Sequence, residues 1–121
     1  MRTEVIKMPY IGAALSVNHY LGRRKDGGYY VKQATKDWGE EFGWLLKHLH
    51  LEDWKLPLQV RCDGVFKDAR SSPDLSNLSK VILDFIEDTT GINDKDMRWH
   101  DGNRDIKDEE PYLLITIKES E

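Results

Sequence analysis

A chain of 121 residues, 39% hydrophobic and 33% charged, has the length of one domain, since domains run to roughly 100–200 residues. Aromatic residues at 10%, four of them Trp, exclude a disordered chain, because such side chains supply the apolar area that offsets chain entropy. The net charge of −4 argues mildly against a nucleic-acid partner, but residues 1–70 hold 12 Lys and Arg against 9 Asp and Glu, while residues 71–121 hold 6 against 13.

An acidic block of this kind is either a solvated face or a carboxylate cluster that becomes less negative when it holds divalent cations. The lone cysteine, Cys62, excludes an internal disulfide and a C-x-x-C zinc pair. No apolar run approaches the ~20 residues needed to span a bilayer, and MRTEVIKMPY lacks the apolar stretch of a signal peptide. The expectation is a single domain over residues 1–121, soluble, cytoplasmic and without a membrane partner.

In chain order, residues 3–9 read as a short strand that Pro9 ends. Residues 10–28, with four Gly and the basic run Arg23-Arg24-Lys25, read as a loop or splayed hairpin. From Lys32 to His50, Trp38, Phe42, Leu45, Leu46 and Leu49 recur at three- and four-residue steps, which predicts a helix. Leu58 to Phe66 follows Pro57 and alternates largely with period two, which predicts a strand with one buried face. Residues 68–75 are turn-rich. Leu78, Val81, Ile82, Phe85 and Ile86 predict a second amphipathic helix over 76–90, stopped by Gly91. The stretch 97–106 is ambiguous, and 112–118 (YLLITIK) is a strand by its β-branched content. The order β-α-β-α-β-β predicts an α+β fold with helices on one face of a small mixed sheet.

The chemistry concentrates in Pro73-Asp74-Leu75-Ser76-Asn77-Leu78-Ser79-Lys80, with Asp84, and then Gly91-Ile92-Asn93-Asp94-Lys95-Asp96. Helical spacing puts Asn77, Lys80, Asp84 and Asp88 on a stripe beside or opposite the apolar face. Asp74 precedes the helix and Asp94 follows it, so the two can meet only if the chain folds back beside the helix start.

This segment resembles the signature of the RusA family of Holliday junction resolvases, Asp-x-Asp-Asn-x-x-Lys, a helix, then Asp-Asp. Leu15-Ser16-Val17-Asn18-His19-Tyr20 is similar to the family's early Pro-Ser-x-Asn segment, and the order of elements agrees over nearly the whole chain. The resemblance implies a RusA-like fold and a homodimer that cuts four-way branched DNA in recombination and repair. It implies catalytic roles for Asp74, Asp94 and Lys80, and Mg²⁺, with Mn²⁺ as a substitute, held by Asp74, Asp94 and Asp84. Lys80 would stabilise charge on the phosphate, and Asn77 would orient a ligand or phosphate oxygen. Contacts to DNA would come from Asn18, Arg23, Arg24, Lys25, Lys67, Arg70 and Asn77, with the basic residues on one surface flanking the acidic site.

Two positions depart from the pattern. Asn93 stands for the first residue of the Asp-Asp pair, and Ser76 stands for the family's second aspartate. A serine hydroxyl is a weak ligand for a hard cation, so either the site is impaired or a neighbour such as Asp84 or Asp96 compensates. Ser76 also reads as a good helix N-cap. The basic run that often precedes the motif is reduced to Lys67 and Arg70.

Without the resemblance, Asp84, Glu87 and Asp88 read as a solvated stripe, Arg23-Arg24-Lys25 as a surface cluster, and Trp38, Trp44 and Trp54 as core or rim. The four His show no ligand spacing. Asp101 to Tyr112 begins like a calcium loop, but Ile106 stands at the required Gly and Tyr112 at the required Glu, which excludes it. Pro73-Asp74 with Asp105-Ile106-Lys107 satisfies the loose Pro-Asp…Asp-x-Lys pattern of restriction-type nucleases, a rival within the same class. The alternatives in other classes are a catalytically silent junction-binding module and an acidic protein-interaction domain.

Overall fold

The computed structural model describes residues 1–121. Its elements are β1 (Thr3–Pro9), β2 (Leu21–Arg23), β3 (Tyr29–Val31), α1 (Gln33–Lys47), β4 (Leu58–Phe66), α2 (Ser79–Thr90), β5 (Met97–Ile106) and β6 (Tyr112–Lys118). Four strands form one sheet in the order β1-β6-β4-β5, and β2 with β3 forms a separate hairpin. β6 is antiparallel to β1 and β4, whereas β4 and β5 run parallel, with α2 in the crossover between them. The fold is α+β, as expected, and the ambiguous stretch 97–106 is an edge strand.

Period-two burial carries the sheet. Val60, Cys62, Ile115 and Ile117 point into the core, while Gln59, Arg61, Leu114 and Thr116 lie on the more open face. On α1, Trp38, Phe42 and Leu46 repeat every four residues and are buried, each contributing roughly 1.5–3 kcal/mol through removal from water. Trp38 Nε1 also donates to the Pro9 carbonyl at 2.7 Å, tying α1 to the end of β1. Trp44 departs from the core-or-rim expectation: it is 57% exposed, because two residues, about half a turn of helix, separate it from both Phe42 and Leu46 and turn it to the solvent side.

Helices α1 and α2 approach closely at two glycines. A Cβ on Gly39 would lie 2.1 Å from the Phe85 ring, and one on Gly43 would lie 2.9 Å from Thr89 Oγ1. The α2 face toward the core is Val81, Ile82 and Ile86, and Gly91 closes the helix at φ +77°, donating to the Glu87 carbonyl. That left-handed angle is where glycine costs least. Cys62 sits in this core, and burial, followed by the charges of Asp63 and Asp101, pushes its thiol up to about 12. It is a protonated core residue at neutral pH. No helix is long and apolar enough to cross a membrane.

Candidate active site

The second predicted helix starts as a 3-10 turn over Leu75–Leu78 and becomes α-helical at Ser79. Asp74 holds extended backbone angles at the N-cap of that turn, and its carbonyl accepts from Asn77 N–H at 3.0 Å. Ser76 lies inside the turn, so its hydroxyl caps neither the turn nor α2. The N-cap reading of Ser76 is therefore corrected: the cap position lies two residues upstream. Ser76 instead lines an exposed cleft with Asp74, Asp101, Asn103 and Arg104.

Arg104 reaches into that cleft from β5. Its Nη1 stands 3.7 Å from Asp74 Oδ1 and donates to the Pro73 carbonyl at 3.2 Å. A bulge aims it there. Between the pairs Cys62↔Asp101 and Gly64↔Arg104, β5 carries one residue more than β4. Asp63 fills the irregularity by accepting Asn103 N–H at 2.7 Å, while pairing with Arg61 at 3.0 Å. Gly102 is required at the bulge, because a Cβ there would lie 2.3 Å from Asp63 Oδ1. Asp101 accepts the indole N–H of Trp99 at 2.6 Å.

The N-terminal motif docks onto the same turn. Val17 N–H donates to the Asn77 carbonyl at 2.8 Å, and His19 and Tyr20 both donate to the Ser16 carbonyl. Asn18, exposed, is thereby held next to the Asp74–Lys80 segment.

Lys80 and Asp84 form an i,i+4 ion pair at 3.1 Å. The hydrogen bond and charge of Asp84, then the charges of Tyr20 and Asp94, hold the Lys80 ammonium above its ordinary pKa. Asp94 follows α2 in a 3-10 turn, where its N–H donates to Glu87 Oε1 at 3.0 Å. Asn93 caps that turn by accepting Lys95 N–H at 3.0 Å. The amide in place of the family's aspartate thus has a local structural role.

The residues of the motif separate into two groups, one of them joined by Arg104, which the motif does not contain. Asp74, Ser76 and Arg104 share the cleft at the start of the crossover, while Lys80 is linked to Asp84 directly and to Asp94 through charge. No group of three or more His, Cys, Asp or Glu side chains is placed to hold a metal ion. Asp74 is engaged by Arg104 and Asp84 by Lys80. As placed, this donor set does not fit a protein-held Mg²⁺ or Mn²⁺, which needs oxygen atoms converging at about 2.0–2.1 Å. Asp105 and Lys107 line another cleft, with Asp63, Tyr112 and Leu114, so the Pro-Asp…Asp-x-Lys rival is not gathered around Asp74.

Of the basic residues, Arg23, Arg24 and Lys25 project from the β2–β3 hairpin, and Lys67 and Arg70 lie exposed on the loop leading to Asp74. These cations are carried by two separate elements of the chain. Sequence reasoning missed Arg104 and Asp101. The signal was the Asp-Gly-Asn-Arg run itself, whose turn-forming residues marked a bulge rather than a loop.

A family model, endodeoxyribonuclease RusA, matches residues 13–118. No curated protein matches the chain. Among solved structures, an IspF from Plasmodium falciparum in complex with CDP is similar at 12% identity and a TM-score of 0.36, over 71% of this chain and 56% of that one. At that score the likeness carries no argument.

Proposed function

The chain belongs to the RusA family of endodeoxyribonucleases, and from that membership we propose that it resolves four-way, Holliday-type DNA junctions in recombination and repair. The observation that carries the reading is the docking of Leu15–Tyr20 onto the Asp74–Lys80 turn through Val17 N–H and the Asn77 carbonyl. Two segments that resemble the family's motifs, distant in sequence, become one surface.

The chemistry these groups supply is electrostatic. Lys80, protonated at neutral pH, faces charge that develops on the scissile phosphate. Arg104 is exposed and loosely paired, so a DNA phosphate competes for it and releases Asp74. Asn18 and Asn77 orient the strand, and Lys67 and Arg70 hold the backbone on the approach to Asp74. Family membership implies Mg²⁺, with Mn²⁺ as substitute, and roles for Asp74, Asp94 and Asp84 as its ligands. Those carboxylates build no cage as placed, so no step proposed here runs through the cation. Symmetric cutting of two strands calls for two sites related by a two-fold axis, hence a homodimer.

A second reading is a junction-binding module with impaired cleavage. Ser76 favours it, since a serine lines the Asp74 cleft at the position of the family's second aspartate. Cleavage of an end-labelled four-way junction, titrated with Mg²⁺, tests both. Paired symmetric nicks that Asp74→Asn abolishes support the resolvase. If Ser76→Asp raises cleavage about tenfold or more, one missing carboxylate limits the site, a change worth about 1.4 kcal/mol per tenfold. Equal activity of Ser76→Asp and the unaltered chain rejects the impaired-site reading, and no preference for a junction over a duplex rejects the resolvase.

A further inference from the structure

The β2–β3 hairpin is a basic and aromatic arm on an acidic chain. Residues 20–32 carry Arg23, Arg24, Lys25 and Lys32 against the single carboxylate of Asp26, whereas the remaining residues carry 14 cations against 21 carboxylates. None of the four hairpin cations has a carboxylate within salt-bridge distance, although ion pairs form elsewhere on the surface. Asp26 does not neutralise them, because its Oδ1 accepts Gly28 N–H at 2.9 Å and shapes the turn. Gly27 completes that turn at φ +91°.

Strands of three residues do not hold together alone, and the arm is fixed at its base. Lys32 N–H donates to the Tyr20 carbonyl at 3.0 Å, and Tyr20, Leu21 and Val31 line a cleft with Val81 and Phe85 of α2. The far end is free in solvent. Consecutive strand residues face opposite sides, and the two tyrosines divide accordingly. The Tyr30 ring lies over Gly22, where a Cβ would come within 2.2 Å of its Cζ, so part of that ring packs on the hairpin and Tyr30 is the less exposed of the two, at 44%. Tyr29, paired in register with Arg23, is 64% exposed.

We propose that Tyr29 is a stacking platform for an unpaired nucleobase at the branch point, with Arg23, Arg24 and Lys25 holding the flanking phosphates. Free cations beside an uncovered ring are the combination that binds single-stranded nucleic acid, since phosphates take the charge and any base has a π-face to stack. An intact duplex offers phosphates but no open base face, so the ring adds affinity only where bases come unstacked, as at a junction centre. The proposal rests on the resolvase reading for its substrate and adds a residue and a mode of recognition to it.

The test uses the full chain with DNA carrying 2-aminopurine at the branch point of a four-way junction, within a duplex, and in a single strand. Tyr29→Thr removes the ring and keeps a strand-forming residue, and Tyr29→Trp keeps a ring. Binding of the unaltered chain should change the 2-aminopurine emission in the junction and the single strand and not in the duplex. Tyr29→Thr should abolish that change and weaken junction binding by about tenfold or more, while Tyr29→Trp restores both. Junction affinity and emission unmoved by Tyr29→Thr would overturn the proposal. So would a Tyr29→Thr effect confined to the chain's mass in solution, which marks a self-association surface, or one confined to anionic phospholipid vesicles, which marks a membrane-binding surface. A ring-dependent signal on the single strand without preference for the junction would leave the platform standing and remove the resolvase reading alone.

Discussion

The cations of the hairpin and those beside the candidate site, Lys80 of the crossover, Arg104 of β5 and Arg61 of β4, are held in opposite ways. In the hairpin, Arg23, Arg24, Lys25 and Lys32 stand without acidic partners. In and around the crossover, Lys80 is paired with Asp84, Arg104 with Asp74, and Arg61 with Asp63. A free cation on an exposed turn can only gain from a polyanion, because phosphate binding releases counterions with no ion pair to break. A paired cation resists an anion until its carboxylate is displaced, so it acts at a position rather than over a surface. On the function proposed above, the difference makes the hairpin the source of affinity and the crossover the source of chemistry.

The largest test of that division is Lys80→Ala. The rate of junction cleavage should fall about 10²- to 10³-fold, as for removal of a single donor to a developing anion, with junction affinity little changed. The exposed pair with Asp84 contributes at most about 1 kcal/mol to folding, so the thermal midpoint should barely move. A Lys80→Ala chain that cuts at full rate but binds weakly would merge the two regions.

Arg23→Gln/Arg24→Gln/Lys25→Gln is the converse. Junction affinity should fall, and the slope of log affinity against log salt should shrink by about 0.9 for each phosphate that is no longer neutralised. The single-turnover rate at saturating protein should be preserved. An unchanged salt slope would mean that the free cations touch no phosphate.

Gly39→Ala separates both regions from the scaffold between them. The added Cβ meets the Phe85 ring, and overpacking costs about 1–3 kcal/mol, less the ~1 kcal/mol by which Ala exceeds Gly in a helix. Denaturant unfolding should show a small net loss of stability. If stability rises instead, the close approach of α1 and α2 is slack.

The smallest effect concerns another paired cation. Arg2 and the Lys55 amide hold the Glu119 carboxyl at about 2, below its ordinary 4.5. A depressed carboxylate stabilises the fold above its unfolded pKa, and that contribution is lost as pH falls from about 4.5 toward 2. Glu119→Gln should therefore lower the thermal midpoint slightly at pH 7 and converge with the unaltered chain near pH 2. Parallel melting curves throughout that range would show that the pair contributes nothing.

Local signals were enough for the strands over 3–9, 58–66 and 112–118 and for both helices, because period two and period 3.6 are imposed by each residue's own neighbours. The motif around Asp74, Asn77 and Lys80 was likewise legible, and the family match bears out the resemblance it carried. Tertiary structure alone decided the rest. Residues 97–106 are too charged to declare a strand and become one because β4 supplies the parallel ladder at a sheet edge. Ser76 has the chemistry of a cap and loses that place because a 3-10 turn begins ahead of it at Leu75. Arg104 meets Asp74 across 30 residues because the bulge opposite Asp63 shifts the β5 register. Propensity and periodicity act over a few residues, whereas the partner of a side chain depends on register between strands far apart in the chain, and one inserted residue there changes which side chains can meet.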